Sequence, residues 1–210
     1  MIGSPEINKT IRRILSPSLR EAGFNKVNSR QNWAWIDHCI WVLEIRAVGN
    51  YFSDVTGWPP MSINVDLGIY YDFIPSRNCE IKIGTQGELL PKPFQCHLEN
   101  QLNCQIDQAR YKNHLDNPAE KEREDIWWVE PDGSNIEEVI TDIKNSFSRD
   151  GLEWFRTYTN LKVAFNEIEN QHNSLNKFYK AKYFAEYLKD SEKIIKYTQL
   201  FDMEQKRINM

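Results

Sequence analysis

The sequence predicts an α+β fold: an antiparallel sheet packed against helices, with an all-helical C-terminal extension. Three observations predict it. Met61, Ile63, Val65, Leu67, Ile69 and Tyr71 alternate strictly with Ser62, Asn64, Asp66, Gly68 and Tyr70, the pattern of a half-buried antiparallel strand. Ile7, Ile11, Ile14, Leu15 and Leu19 recur at helical spacing near the start. Beyond Gly133 the apolar residues follow helical periods throughout. The expected division is 1–158 for the α+β domain and 159–210 for the helical extension.

In the first helix Ser4 is placed to cap and Pro5 suits the first helical position, where a missing N–H costs nothing. Pro17 predicts a kink, or a restart capped by Ser16. Gly23 fits the left-handed residue that ends a helix, with Phe24 folding back on Leu19. Gln31–Ile36 and Cys39–Arg46 read as strands joined at Asp37-His38. The interval from Arg46 to Pro60, with Gly49, Gly57, Pro59 and Pro60, reads as a long loop. Cys79, Ile81 and Ile83 suggest a short strand, Gly84–Gly87 a turn, and Phe94, Cys96 and Leu98 another strand. Residues 100–124 are polar and poorly periodic. Ser134 and Glu137 have the spacing of a capping box ahead of a stripe of Ile136, Val139, Ile140, Ile143 and Phe147. After Asp150-Gly151 three further stripes follow. They are Leu161/Ala164/Phe165/Ile168, Leu175/Phe178/Ala181/Ala185/Leu188 and Ile194/Ile195/Thr198/Phe201, the last capped by Asp190 or Ser191.

Composition bounds the function. The chain has 210 residues, 40% of them hydrophobic, too many for a disordered protein. A net charge of −4 argues against a dedicated nucleic-acid binder. Charge is nonetheless segregated. Lys9 to Arg30 holds six bases and one acid, whereas Asp116 to Asp142 holds ten acids and two bases, either solvated faces or an acidic surface for a basic partner. The start lacks the pattern of a secretory leader and no apolar run is long enough to cross a bilayer. A cytoplasmic, soluble protein with free thiols at Cys39, Cys79, Cys96 and Cys104 is therefore expected.

Several short motifs, in order, resemble the bacterial family of domain of unknown function 4304. They are Leu19-Arg20-Glu21-Ala22-Gly23-Phe24, Ile63 through Ile69, Cys96-His97-Leu98, Trp127-Trp128 and Gly151-Leu152-Glu153-Trp154-Phe155. The likeness spans about residues 5–160 and implies an α+β domain, with no catalytic residue to carry over.

Candidate chemistry is sparse. Asp66 on one strand and Glu80-Ile81-Lys82 on another have the layout of a metal-dependent nuclease, in which carboxylates hold the cation and the lysine positions water. The same residues also suit the wet sides of two strands. Cys96, His97, Cys104 and His114 are too widely spaced for a typical structural zinc site. Cys39 beside His38 or His97 invites a thiol-nucleophile reading, against the commoner buried thiol. No phosphate loop, nucleophile elbow or zinc-protease motif is present. Trp58, between Gly57 and Pro59, is expected either to lie down as a lid on the core or to meet a partner. Of Trp127 and Trp128, one ring faces in and the other out, to be covered by the C-terminal helices. The leading expectation is a protein-interaction module that binds another protein through Trp58, Trp127, Trp128, Glu130 and Asp132. No cofactor is expected, and the profile is that of an immunity-type or defence-associated accessory protein. The alternative is the nuclease built on Asp66, Glu80 and Lys82.

Overall fold

The computed structural model describes residues 3–77 and 80–209. Helix α1 (Ser4–Glu21) starts one residue earlier than the capping pattern suggests. Gly3 is the cap, its N–H donating to the Glu6 carboxylate, and Ser4 lies inside. Pro17 does not break the helix. Ile7, Ile11, Leu15 and Leu19 are fully buried on one side of it, and that burial outweighs the one backbone bond proline removes. Ser16, expected as a second cap, is buried with an unpaired hydroxyl. At the far end Gly23 adopts φ 102°, and the Phe24 N–H reaches the Leu19 carbonyl, as the motif predicts.

The chain then forms β1 (Lys26–Val27), β2 (Gln31–Ile36) and β3 (Cys39–Ala47). The glycines of the expected long loop turn out to bracket α2 (Asn50–Thr56), with Gly49 as N-cap and a left-handed Gly57 as C-cap. The alternating segment is β4 (Ile63–Tyr71). Lys82–Ile83 (β5) and Leu89–Leu90 (β6) make a separate ribbon around the Gly84–Gly87 turn. Within the expected strand there, Ile81 is buried but Ile83 is exposed, and Cys79 lies outside the described residues. Pro93–Gln95 is a 3-10 turn, so the strand expected from Phe94 begins only at Leu98: β7 is Leu98–Gln101. Short helices α3 (Ala109–Lys112) and α4 (Pro118–Lys121) interrupt the polar middle.

The main sheet has the antiparallel order β1-β2-β3-β4-β7. Its first face carries Cys39, Trp41, Leu43, Ile45, Ile63, Val65, Leu67, Ile69 and Tyr71, all buried, beneath α1 and α5 (Ile136–Ser146). The capping box before α5 is not made. Ser134 donates its N–H to Asp132, and Glu137 pairs across to Arg13 on α1. Asp150-Gly151 does not end the helix either. A π turn (Phe147–Gly151) carries it into α6 (Leu152–Thr159), because Gly151 is packed on Leu102, Phe147 and Leu67.

The last helices are α7 (Leu161–Asn170), α8 (Leu175–Leu188) and α9 (Ser191–Ile208), with Asp190 capping the last. Tyr197, not Ile195, is the inward residue of α9; Ile195 is 61% exposed. One apolar cluster runs from Ile69 and Tyr71 through Phe155 to Phe165, Phe178 and Phe184, so no gap marks the 158/159 position. The Tyr71 hydroxyl donates to the Tyr158 carbonyl and the Trp41 indole to the Thr159 hydroxyl. Among the described residues, no helix is long and apolar enough to cross a membrane.

The second face of the sheet is half covered, which departs from a simple buried-and-wet alternation. Trp33, Ile40, Val42 and Tyr70 pack under Ile81, Leu90 and Cys96. The indoles of Trp33 and Trp35 donate to the Pro91 and Leu89 carbonyls and so pin the ribbon to the sheet. Gly68 is required here. A Cβ on it would stand 2.6 Å from the Cys96 sulfur and 3.1 Å from Pro93 Cα. Gly68→Ala is therefore expected to cost about 1–3 kcal/mol through overpacking. Urea denaturation checks this, and Cys96→Ala in the same chain should restore part of the loss.

Candidate functional site

Where the ribbon stops, the second face opens into a groove of about 500 Å3 lined by Glu44, Arg46, Asp66, Phe94, Glu99 and Gln101, among others. Register places these side chains. Glu44 lies opposite Asp66 on neighbouring strands, and Asp66 lies opposite Gln101. All point to the same face because side chains alternate along a strand. Asp66 accepts from Arg46 Nε at 2.6 Å and from Gln101 Nε2 at 2.9 Å. Glu44 accepts from Gln31 Nε2 at 2.7 Å. Glu99 has no hydrogen-bond or ion-pair partner among the described residues. Partial loss of water holds its carboxyl above the ordinary range; Lys180 pulls it down and Asp66 pushes it up. Phe94, 63% exposed, forms part of the rim. A smaller cavity of about 210 Å3 continues the groove past Arg46 and Gln101 to Phe52 and Arg123. Arg123 is held by Asp125 and Glu120. Burial pushes the Asp125 carboxyl up, but the guanidinium outweighs it and the group titrates below its usual range.

Of the nuclease trio, only Asp66 enters this groove. Glu80 and Lys82 belong to the ribbon segment and do not line it; the Glu80 carbonyl instead accepts from Gln95. Cation binding at Asp66 would also have to displace Arg46. Among the described residues, no three His, Cys, Asp or Glu side chains gather as a metal-ligand set. His97, one of the widely spaced zinc candidates, accepts the Tyr71 N–H on Nδ1. Burial pushes the Cys39 thiol up to about 11, the Cys96 thiol well above its ordinary value and Cys104 up to about 12. These are protonated, packed thiols rather than nucleophiles.

The aromatic binding set needs correction. Trp58 is fully buried, packed with Val48, Leu115 and Ile126, and its indole donates to Glu120 at 2.8 Å. It is the lid, not the contact. Trp127 is also fully buried, bridged to Ile63 on β4, with its indole on Asp142. Trp128 is half-buried, and its cover is Tyr111, stacked at 4.9 Å, and Trp58, rather than the C-terminal helices. Tyr111 comes from the polar stretch where periodicity carries no signal. Glu130 accepts from the Tyr111 hydroxyl and Asp132 from the Ser134 N–H. Much of the acidic stretch is thus spent on internal partners. What sequence reasoning missed is the groove's partner set: Glu44, Arg46, Glu99 and Gln101. The signal for three of them was strand register against Asp66, which needs the pairing of β3, β4 and β7.

No curated protein and no solved structure matches the chain. The family described as domain of unknown function (DUF4304) matches residues 15–157. That span holds the sheet, the ribbon and every residue of the groove, and it stops two residues before α6 ends. The chain belongs to the DUF4304 family.

Proposed function

We propose that the protein is an interaction module that acts by binding, and that the groove receives a partner segment bearing lysine or arginine. The observation that supports this most is the charge of the groove: carboxylates of Glu44, Asp66 and Glu99 around a single guanidinium, Arg46. Docking a cation there would relieve the unpartnered Glu99, whereas a phosphate backbone would be repelled. The neighbouring edge strand β7 adds exposed Glu99, Asn100 and Gln101, a short edge beside which an extended peptide can lie. The protonated thiols and the arginine-bound Asp66 add no activated group to that surface.

The test is a titration of the labelled protein with a strand-forming Lys/Val decapeptide and its Glu/Val counterpart. Saturable amide shifts at Asn100 and Gln101 are expected with the first peptide only. They should weaken at least tenfold in Glu44→Gln/Glu99→Gln and with added salt, as surface ion pairing requires. Equal response to both peptides would overturn the proposal, as would divalent-cation-dependent cleavage of DNA by the unmutated protein.

A further inference from the structure

A second cavity, of about 320 Å3, lies across Phe94 from the groove and has the opposite charge. Three parts of the chain build it: Tyr70 with the segment after β4, the 3-10 turn with Cys96 and His97, and the inner side of α8. Lys180, on α8, is only 8% exposed. Its ammonium makes one hydrogen bond among the described residues, to the His97 carbonyl at 2.9 Å. An ammonium has three N–H groups to place, and no carboxylate of the described residues pairs with it. Arg77 joins it at the cavity, its guanidinium 5.5 Å from the Tyr179 ring centre and 5.3 Å from that of Phe201. Among the described residues the lining contains no aspartate or glutamate. Gln95 and Asn176 supply amide groups, while Phe94 and Tyr179 supply flat apolar walls.

A buried cation with a single neutral acceptor is costly unless something else completes its shell. We propose that this cavity binds a small anionic molecule, with its carboxylate or phosphoryl group on Lys180 and Arg77 and a flat apolar body against the aromatic rings. The volume is at the lower end for small-molecule sites and too small for a folded partner. Burial pulls the Lys180 ammonium below its ordinary value, and Glu99, which makes no ion pair with it, offsets that only in part. Asn176, Tyr179 and Lys180 lie beyond the 15–157 span of the family match. The site therefore depends on the C-terminal helices, and family members without them would lack it.

The experiment uses the full chain, with benzoate and phenyl phosphate as probes at constant ionic strength, followed by NMR. Saturable shifts at the His97 amide and the Arg77 Nε–H are expected with at least one probe; which one responds identifies the anionic group. Affinity should fall at least tenfold in Lys180→Met and several-fold in Arg77→Gln. In the absence of probe, Lys180→Met should melt no lower than the parent, since it removes an under-paired charge. Should Lys180→Met fail to fold, the exposed Arg77→Gln carries the same comparison. Shifts that never saturate with either probe, or that persist unchanged in both variants, would overturn the proposal. Neither outcome bears on the lysine-peptide titration at the groove, whose reporters lie on β7.

Discussion

Phe184→Ala is expected to remove about 3–5 kcal/mol of unfolding free energy, the usual cost of emptying a buried phenylalanine site. Phe184 has no exposed surface. Its ring meets Tyr71 edge-on at 4.7 Å and Phe73 edge-on at 5.0 Å, and stacks on Phe165 at 5.6 Å. Those three partners belong to the sheet, the segment after it and α7, so one truncation loosens the joint between the family-matched region and the C-terminal helices. Urea denaturation followed by tryptophan fluorescence and by far-ultraviolet dichroism measures the loss. The two transitions should stay coincident because one core joins the two parts, although all seven tryptophans lie within residues 15–157 while the helices dominate the dichroism. A loss below about 1 kcal/mol, or helices that melt ahead of the sheet in the parent protein, would contradict the shared core.

The second large effect is acid sensitivity through His97. Burial, and then the neighbouring Lys180, hold its imidazole down to about 3 from an ordinary 6.5. Tyr70 and Tyr71 flank the ring, at 4.6 and 6.0 Å, and the Tyr71 N–H occupies Nδ1, which fixes the neutral form. The unfolded chain takes up a proton near pH 6.5 that the folded chain refuses until about pH 3. The stabilising contribution is therefore complete above pH 6.5 and lost as the pH falls towards 3, at up to about 1.4 kcal/mol per pH unit. His97→Asn, whose side-chain oxygen can accept the same N–H, should flatten the stability profile over that window. Parallel profiles for the two proteins between pH 6.5 and 3 would refute the assignment.

Much of the architecture was legible because period is a direct consequence of burial. Met61 to Tyr71 reads as a strand from its alternation, since one face is packed against helices. Gln31–Ile36 and Cys39–Arg46 read as strands from their aromatic and β-forming residues. Gly23 marked a helix end because the left-handed backbone there favours glycine. The misreadings share a cause: tertiary burial overrode a local signal. Pro17 and Gly151 are breakers by propensity, yet both sit in continuous helix because their neighbours are packed. Glu137 has the spacing of a capping box but is drawn to Arg13 on another helix. Trp58 looked stranded beside Pro59 and Pro60, yet Leu115 and Ile126, over fifty residues away, close over it. The candidate site was less legible still. Asp66 was visible as the polar side of a strand, but Glu44 and Gln101 join it only through pairing of distant strands. Lys180 and Arg77 meet only because α8 docks on the sheet. Sequence separation hides such sites, whatever the chemistry of their residues.

The most direct test of binding through the groove is a photo-crosslink from the edge strand that borders it. A benzoylphenylalanine in place of Asn100, which is exposed on β7, would be activated in the native host. A second protein should carry the probe in place of Tyr51, which is 84% exposed on α2. The account predicts one discrete protein adduct from position 100, joined through a lysine- or arginine-bearing segment, and none of the same mass from position 51. Adducts to nucleic acid, or the same adducts from both positions, would contradict it.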